Sequence, residues 1–357
     1  MIKFIHSADW HLDSPFSSAD SGEAARRRAE LRQLPRRLAE YVNEHNIPLV
    51  LLTGDLFDSK HVYRETVEEL AQALGSMRAK VLITPGNHDP WGPLWDEQVW
   101  SDNVYIFHKN RLTALEAGDL VFYGGAFVTA EQTESMLSGF RAPEDGKLHI
   151  GLFHGEVAAE SIYHPISSEE IARSGLDYLA LGHIHKRGQE RIGKTLTAWP
   201  GCMEGRGFDE LGEKGFYEGV ITDRGEISVT FVPFARSRYE ILTVDVTGRD
   251  PKEAVEGSLR GDTAQDHYRI LLTGTAETPD LKELTQQLRP RFAEVEVRDQ
   301  TRIPRDLWEK KDEDSLRGVF LRRLREKMDH AETKEEQELV RLAARFGLGA
   351  LEHRDLG

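Results

Sequence analysis

The sequence predicts an α/β fold: a mostly parallel sheet packed against a second sheet, the pair flanked by helices. Three observations lead to it. Up to Thr84, apolar strand-like runs alternate with helical periodicities, a βαβ pattern that builds parallel sheets. Beyond Trp100, short strands recur without intervening helices, the mark of a second sheet packed on the first. Finally, apolar runs end in short polar motifs: Asp9-Trp10-His11, Gly54-Asp55-Leu56-Phe57-Asp58, Gly86-Asn87-His88-Asp89-Pro90, Phe153-His154-Gly155-Glu156 and Gly182-His183-Ile184-His185. Strands ending in Asp, Asn and His collect oxygen and nitrogen ligands at one edge of a sheet, the arrangement a pair of divalent metals needs. One such motif is a weak signal; all of them in this order are a strong one.

With 357 residues the chain has room for two domains, or for one large domain plus additions. Hydrophobic residues make up 39% and charged residues 30%, enough for a soluble globular core. No apolar run reaches the length of a membrane span, so none is expected. The opening Met1-Ile2-Lys3-Phe4-Ile5-His6 enters a strand directly and lacks a signal-peptide pattern. Cys202 is the sole cysteine, so no intrachain disulfide can form and a reducing cytoplasm is the expected compartment. A net charge of −15 counts modestly against a broad basic face for DNA. Ligand carboxylates inflate that total, however, metals offset it, and local basic clusters survive an acidic average.

In order, Ile2–His6 reads as a strand leading through Ser7 and Ala8 to Asp9 and His11. Two apart in an extended segment, these aim at one point, although a polar strand end with a capping Asp has the same pattern. Residues 23–45 read as a helix with Leu31, Leu34, Leu38 and Tyr41 on one face and Pro35 as a kink or break. It carries Arg26, Arg27, Arg28, Arg32, Arg36 and Arg37, either a solvated face or a local phosphate-binding patch. The strand over 48–53 ends at Gly54-Asp55, where Gly54 permits a sharp turn. A helix over 63–77 with Val67, Leu70, Ala71 and Leu74 inward leads to a strand over 79–84, and right-handed crossovers put these strand ends on one edge. Trp91, Trp95 and Trp100 read more simply as closing a core edge than as stacking bases. Strands follow at 104–107, 120–123, 148–153, 177–181, 194–199, 217–222 and 227–233.

Beyond Pro233 the texture changes. A strand over 239–246, helix 251–259, strand 267–273, helix 280–288 and strand 293–297 give a separate βαβαβ domain, with residues 234–238 as its boundary. From Arg302 the chain reads as helical. Leu316, Val319, Phe320, Leu324 and Met328 form one apolar stripe. A second helix begins at Thr333, with Glu336 completing a capping box. It carries Leu339, Leu342, Ala343 and Phe346, and Gly347 and Gly349 are its stop signals. The expected domains are 1–235, 236–300 and 301–357.

The chemistry-bearing residues are Asp9, His11, Asp55, Asn87, His154, His183 and His185. Two metals about 3.5–4 Å apart activate a water and clamp a phosphoryl group. Such a pair needs a bridging carboxylate, and Asp55 is the best placed because Gly54 allows close approach. Asp9, His11 and His185 complete one shell, and Asn87, His154 and His183 the other. Mixed imidazole and oxygen ligands suit manganese, iron or zinc; two manganese ions are the expectation, with magnesium a further alternative. His88, beside a ligand yet free not to be one, is the candidate general acid for the leaving oxygen. Asp89 is the candidate to orient it.

These residues carry a resemblance. Asp9-x-His11, Gly54-Asp55, Gly86-Asn87-His88-Asp89, His154 and Gly182-His183-x-His185 resemble the motifs of the calcineurin-like metallophosphoesterase superfamily, over the first two thirds of the chain. That implies a two-sheet sandwich flanked by helices. More narrowly, the stretches 6–13, 54–58, 181–186, 200–210 and 214–216 are similar to SbcD-type DNA repair exonucleases. The ending around Phe346–Glu352 is similar to the YhaO-like branch. Cys202 stands where Ser is common in that family, and the C-terminal region is compact. The resemblance implies a DNA-capping role for 236–300 and an element in 301–357 that docks an SbcC-type coiled-coil ATPase. It further implies a nucleoid-associated homodimer acting on duplex ends and single strands. The competing readings are a cyclic-nucleotide phosphodiesterase or other small-molecule phosphoesterase, a phosphoprotein phosphatase, and a non-enzymatic scaffold. The phosphatase reading is weakened because Ser59-Lys60 stands where that family places an Arg.

Overall fold

In the computed structural model, which describes residues 1–17, 21–59, 62–276, 280–302, 308 and 310–351, alternation along the first strands sets the layering. The first stretch comprises β1 (Ile2–Ser7), α1 (Ser21–Arg32), α2 (Leu34–Glu44), β2 (Leu49–Leu52), α3 (Arg64–Gly75), β3 (Lys80–Ile83), α4 (Pro93–Asp96) and β4 (Val104–Ile106). Phe4, Leu49, Leu51 and Leu82 join one buried cluster, while their neighbours Ile5, Val50, Leu52, Val81 and Ile83 join another. A period of two with both faces buried is what a sheet covered on both sides requires. Leu31, Leu34, Leu38, Leu70 and Leu74 of the helices cover the outer face.

The next stretch holds β5 (Thr113–Ala117), β6 (Leu120–Gly124), β7 (Leu148–His154), β8 (Glu156–Val157), β9 (Pro165–Ile166), α5 (Ser168–Ser174), β10 (Tyr178–Gly182), β11 (Gly188–Ile192), β12 (Thr195–Trp199), β13 (Gly215–Ile221) and β14 (Ile227–Pro233). Two six-stranded mixed sheets result, in the orders β14-β13-β1-β2-β3-β4 and β11-β12-β10-β7-β6-β5. Phe4, Leu51 and Leu82 of the first meet Phe122, Ile150, Leu152, Tyr178 and Ala180 of the second between them. Val121, Phe153, Leu179 and Leu181 face the other way, against Ile171 of α5. The expected pair of packed sheets with flanking helices is therefore the observed α/β architecture. Capping box Ser167/Glu170, with both bonds made, opens the short helix α5 that the strand pattern alone does not reveal.

The remaining elements are β15 (Tyr239–Asp245), α6 (Pro251–Ser258), β16 (His267–Thr273), α7 (Leu281–Leu288), β17 (Glu294–Asp299), α8 (Leu316–Asp329) and α9 (Lys334–Leu351). The βαβαβ order holds, and its strands form a sheet in the order β15-β16-β17. The chain divides into two compact units. One is Met1–Ile241 with Asp262–Arg269 and Arg291–Glu294; the other is Leu242–Gly261, Ile270–Pro290 and Val295–Gly357. Among the described residues no helix is long and apolar enough to cross a membrane.

Some local readings are settled or changed. The helical stretch over 23–45, with Pro35 as a kink or break, is two helices, divided at Gln33 with Pro35 in the first turn of α2, where its missing N–H costs nothing. Gly347 and Gly349 do not stop α9, which runs on to Leu351. Gly347 lets the helix approach α8, since a Cβ there would stand 2.1 Å from the Phe320 ring. The apolar stripe of α9 stands largely open: Leu339 and Phe346 are 68% and 57% exposed, while Ala344 and Leu348 are buried. Residues 303–307, expected to be helical, and Glu352, at the end of the YhaO-like stretch, lie outside the described residues.

Gly182, at the end of β10, has no room for a side chain, because a Cβ would lie 1.9 Å from the Thr53 carbonyl oxygen. Gly182→Ala is expected to destabilise the protein by about 1–3 kcal/mol, read from urea unfolding. Wild-type stability would mean that the two sheets separate there at no cost.

Candidate metal centre

The polar motifs sit at the C-terminal ends of five strands, but not on one sheet. β1, β2 and β3 are neighbours in the first sheet and deliver Asp9, His11, Asp55 and Asn87; β7 and β10 are neighbours in the second and deliver His154, His183 and His185. The single-edge expectation is corrected because the chain leaves the first sheet after β4 and builds its next strands in the second. The site lies where the ends of the two sheets meet.

Past their ends β1 and β2 remain zipped together. Asp9 N donates to the Gly54 carbonyl at 3.1 Å, His11 N to that of Asp55 at 3.0 Å, and Leu12 N to that of Leu56 at 2.9 Å. Strand alternation does not aim the side chains, since β1 stops at Ser7. Asp9, His11, Asp55 and His183 instead have φ of 52°, 48°, 51° and 88°. Non-glycine residues adopt this left-handed region at a cost of order 1–3 kcal/mol each, and they do so at functional sites. Gly54, at φ 85°, makes the turn into Asp55.

Three overlapping groups with metal-ligand spacing result: Asp9 with His11 and His185, Asp9 with Asp55 and His154, and His11 with Asp58 and His88. His154 Nε2 lies 3.3 Å from Asp55 Oδ2 and 2.9 Å from Asn87 Oδ1. His11 Nε2 lies 3.9 Å from the same Asp55 oxygen and 3.1 Å from His185 Nε2. Asp55 Oδ2 therefore faces both sets. His183 is more peripheral. Its amide donates to Asp9 Oδ1 at 3.0 Å, and its ring stands edge-on to His154 with centroids 5.3 Å apart.

This donor set fits divalent metal. Two imidazoles have their Nδ1 hydrogen-bonded, His154 with the Thr53 carbonyl at 2.9 Å and His185 with Glu210 Oε1 at 2.7 Å, while His11 Nδ1 lies 3.1 Å from Asp58 Oδ1 without hydrogen-bond geometry. Such partners fix the tautomer and turn the Nε2 lone pair towards the site. Asp9 Oδ2 is buried with no hydrogen-bond partner. Oxygen and imidazole donors without thiolate suit hard to borderline cations. Burial pushes the Asp55 carboxyl up, but the surrounding His154, His11 and His88 outweigh it and hold it well below the usual carboxylate range. Burial likewise pulls His154 down, and the adjacent Asp55 carboxylate overrides it to about 9.

His88 is exposed, and its Nδ1 lies 2.7 Å from the Asp58 carbonyl oxygen. Its ring is 4.9 Å from that of His11. Asp89 does not orient it. The Asp89 carboxylate is spent on backbone, accepting from the amides of Gly86, Leu56, Asp55 and Phe57 at 2.7, 2.8, 3.2 and 3.2 Å. It ties the β2 and β3 loops together, and the Asp58 carbonyl takes the role expected of it. The tryptophans close a core edge: Trp95 is buried, stacks on Trp100 at 5.5 Å and donates to the Asp89 carbonyl at 2.6 Å.

The arginines of α1 and α2 are largely paired within the protein, although Arg26 and Arg36 are exposed. Arg26 pairs with Glu23 and Glu30, and Arg32 with Asp13. Arg27, only 2% exposed, donates to Ser237 and the Gly205 carbonyl, and Arg37 to the Phe234 carbonyl. Asp58, Arg206 and Glu210 lie in stretches that the sequence singles out, 54–58 and 200–210, but the sequence assigns them no role. Arg206 pairs with Asp58 at 2.9 Å and with Glu210 at 2.7 Å. The available signal is an Arg and a Glu four apart in the glycine-rich stretch 205–210.

The description of the calcineurin-like phosphoesterase family matches residues 2–187. The chain belongs to that family. This calcineurin-like phosphoesterase is 30% identical over 323 residues to the uncharacterized metallophosphoesterase YhaO of Bacillus subtilis, covering 83% of this chain and 79% of that one. It is 25% identical over 351 residues to the DNA double-strand break repair protein Mre11 of Methanopyrus kandleri, covering 86% and 74% respectively. A dimetal phosphatase structure from Danio rerio aligns over 64% of this chain and 98% of its own, at 12% identity and a TM-score of 0.42.

Asp89→Asn places an NH2 group against backbone donors. It is expected to lower stability by about 1–3 kcal/mol, measured by chemical denaturation. An unchanged midpoint would show that those amides do not need the carboxylate.

Proposed function

We propose that this phosphoesterase is a manganese-dependent DNA nuclease of the SbcD type, cleaving duplex ends and single strands beside an SbcC-type coiled-coil ATPase. The observation that carries the hydrolase part is the Asp55 carboxylate facing imidazole nitrogens of both ligand groups, with the His154 and His185 rings held from behind at Nδ1. Asp9, His11 and His185 would hold one ion, Asn87, His154 and His183 the other, with Asp55 available to both; magnesium, iron or zinc would suit the same donors. Bound divalent ions supply Lewis acidity towards a phosphoryl oxygen and a more acidic water. His88 donates a proton from Nε2 to the departing sugar oxygen, its Nδ1 fixed by the Asp58 carbonyl. What supports DNA as substrate is the relative named for double-strand break repair, similar over 86% of this chain. The βαβαβ segment serves as the DNA-capping part. The reading places the protein, as a homodimer, in the cytoplasm at the nucleoid.

A second reading, hydrolysis of a cyclic nucleotide or another small phosphodiester, draws support from the net charge of −15 and from the arginines consumed by internal pairing. Turnover of labelled duplex and single-stranded DNA against cyclic nucleotides, with manganese added, separates the two. DNA turnover is expected to exceed the other, and cleavage confined to cyclic nucleotides rejects the DNA reading. In the same assay His88→Ala is expected to lose about 10²–10⁴-fold in single-turnover rate with metal content unchanged. Near wild-type turnover removes His88 from the reaction, and loss of a metal makes it a ligand.

The exposed stripe of α9, with Leu339, Leu342 and Phe346 outward, supports docking of the ATPase on the C-terminal helices. Removing residues from Asp314 onward is expected to abolish its capture while sparing cleavage of single-stranded DNA. Undiminished capture by the shortened chain rejects this.

A further inference from the structure

One guanidinium links the carboxylates behind two of the imidazoles. Arg206 Nη1 lies 2.9 Å from Asp58 Oδ1, and Arg206 Nη2 lies 2.7 Å from Glu210 Oε1. Asp58 Oδ1 is 3.1 Å from His11 Nδ1, and Glu210 Oε1 is 2.7 Å from His185 Nδ1. The Nε2 atoms of these two rings then face each other at 3.1 Å. His11, Asp58, Arg206, Glu210 and His185 thus form a closed ring of contacts around one point. His154 is held differently, by the Thr53 carbonyl behind and Asn87 in front, and none of these bonds involves Arg206.

We propose that Arg206 is a positioning residue for one of the two metal sites only, the one served by His11 and His185. The proposal rests on the two-metal reading above. Its physical basis is geometric. A carboxylate with one imidazole partner can swing about its own torsions, and the ring it holds swings with it. The planar fork of an arginine fixes two carboxylates at once, which an ammonium cannot do. Glu210 is pinned further because Arg206 N donates to its Oε2 at 2.8 Å. The same segment also holds the backbone of His185, whose carbonyl accepts from Cys202 N at 3.3 Å and Lys214 Nζ at 3.2 Å. Without the guanidinium, Asp58 and Glu210 become partly buried, underpaired anions that reorient towards solvent. The two Nε2 lone pairs then lose their common aim.

The test uses the full chain stripped with a chelator and titrated with manganese(II) chloride, bound ions being counted by electron paramagnetic resonance. The wild type is expected to bind two equivalents. R206Q and R206K should bind one equivalent as the wild type does and the other about 10–100-fold more weakly, the usual effect of losing an outer-shell partner. E210Q should weaken that same equivalent, and R206Q/E210Q should do little more than the worse single change. N87A should weaken the other equivalent, so R206Q/N87A affects both. Thermal unfolding in chelator checks the fold; R206K keeps the charge, and with E210Q it carries the test if R206Q does not fold. Wild-type binding of both ions by R206K and R206Q overturns the proposal, as does equal weakening of both. A wild-type chain that fails to bind two ions rejects the two-metal reading before any variant is compared.

Discussion

Asp9 and Asp55 are almost completely buried at the end of the sandwich, and both lie in the cluster that contains His154. Two carboxylates withdrawn from water cost several kcal/mol each unless positive charge and hydrogen bonds meet them. The surrounding side chains follow from that constraint. Asp55 takes the amide of His88 on one oxygen and the imidazole of His154 near the other. Asp9 takes the amide of His183 on Oδ1 and keeps Oδ2 for a ligand to complete. The imidazoles are themselves held by carbonyl and carboxylate acceptors, so their lone pairs point inward. A donor set that is anionic, preorganised and short of hydrogens is one that divalent cations complete.

The fold makes this arrangement affordable. Left-handed backbone at Asp9, His11, Asp55 and His183 is costly, and residues adopt it only where the structure around them over-determines it. Here the determinants are large. β1, β2 and β3 are buried on both faces, and the loops after β1 and β2 continue their hydrogen bonding to Asp58. Asp89 stitches the third loop to the second through backbone amides, and His6, wholly buried, bonds Tyr178 of the second sheet at 2.8 Å. The sheets are thereby locked together just beneath the ligands they supply.

The parts legible in the sequence are those set by periodicity. Leu49–Leu52 and Lys80–Ile83 announce buried strands through their composition, and the polar residue following each announces where it ends. Convergence was therefore readable, but its mechanism was not. Alternation in a strand was the available rule for Asp9 and His11, and left-handed φ leaves no mark on an Asp or a His. The roles of Arg206 and Glu210 were invisible for another reason: these residues act through His185 and Asp58, and nothing in the spacing of a loop residue shows which distant carboxylate it will meet. Gly347 misled because glycine serves both to end helices and to let them approach, and only the Phe320 ring distinguishes the two.

Charge then decides how a phosphodiester is engaged. The chain is strongly acidic, and the arginines of α1 and α2 are turned to Glu23, Glu30, Asp13 and backbone carbonyls. Arg27, Arg32 and Arg37 tie the helices to neighbouring segments, while Arg26 and Arg36 pair with glutamates of their own helices. On the two-metal reading, two divalent ions add four positive charges within a few ångströms of Asp9 and Asp55, and the local field changes sign while the average stays negative. A phosphate would then be attracted to the ends of the strands, by charge gathered on the same buried carboxylates that are costly to fold.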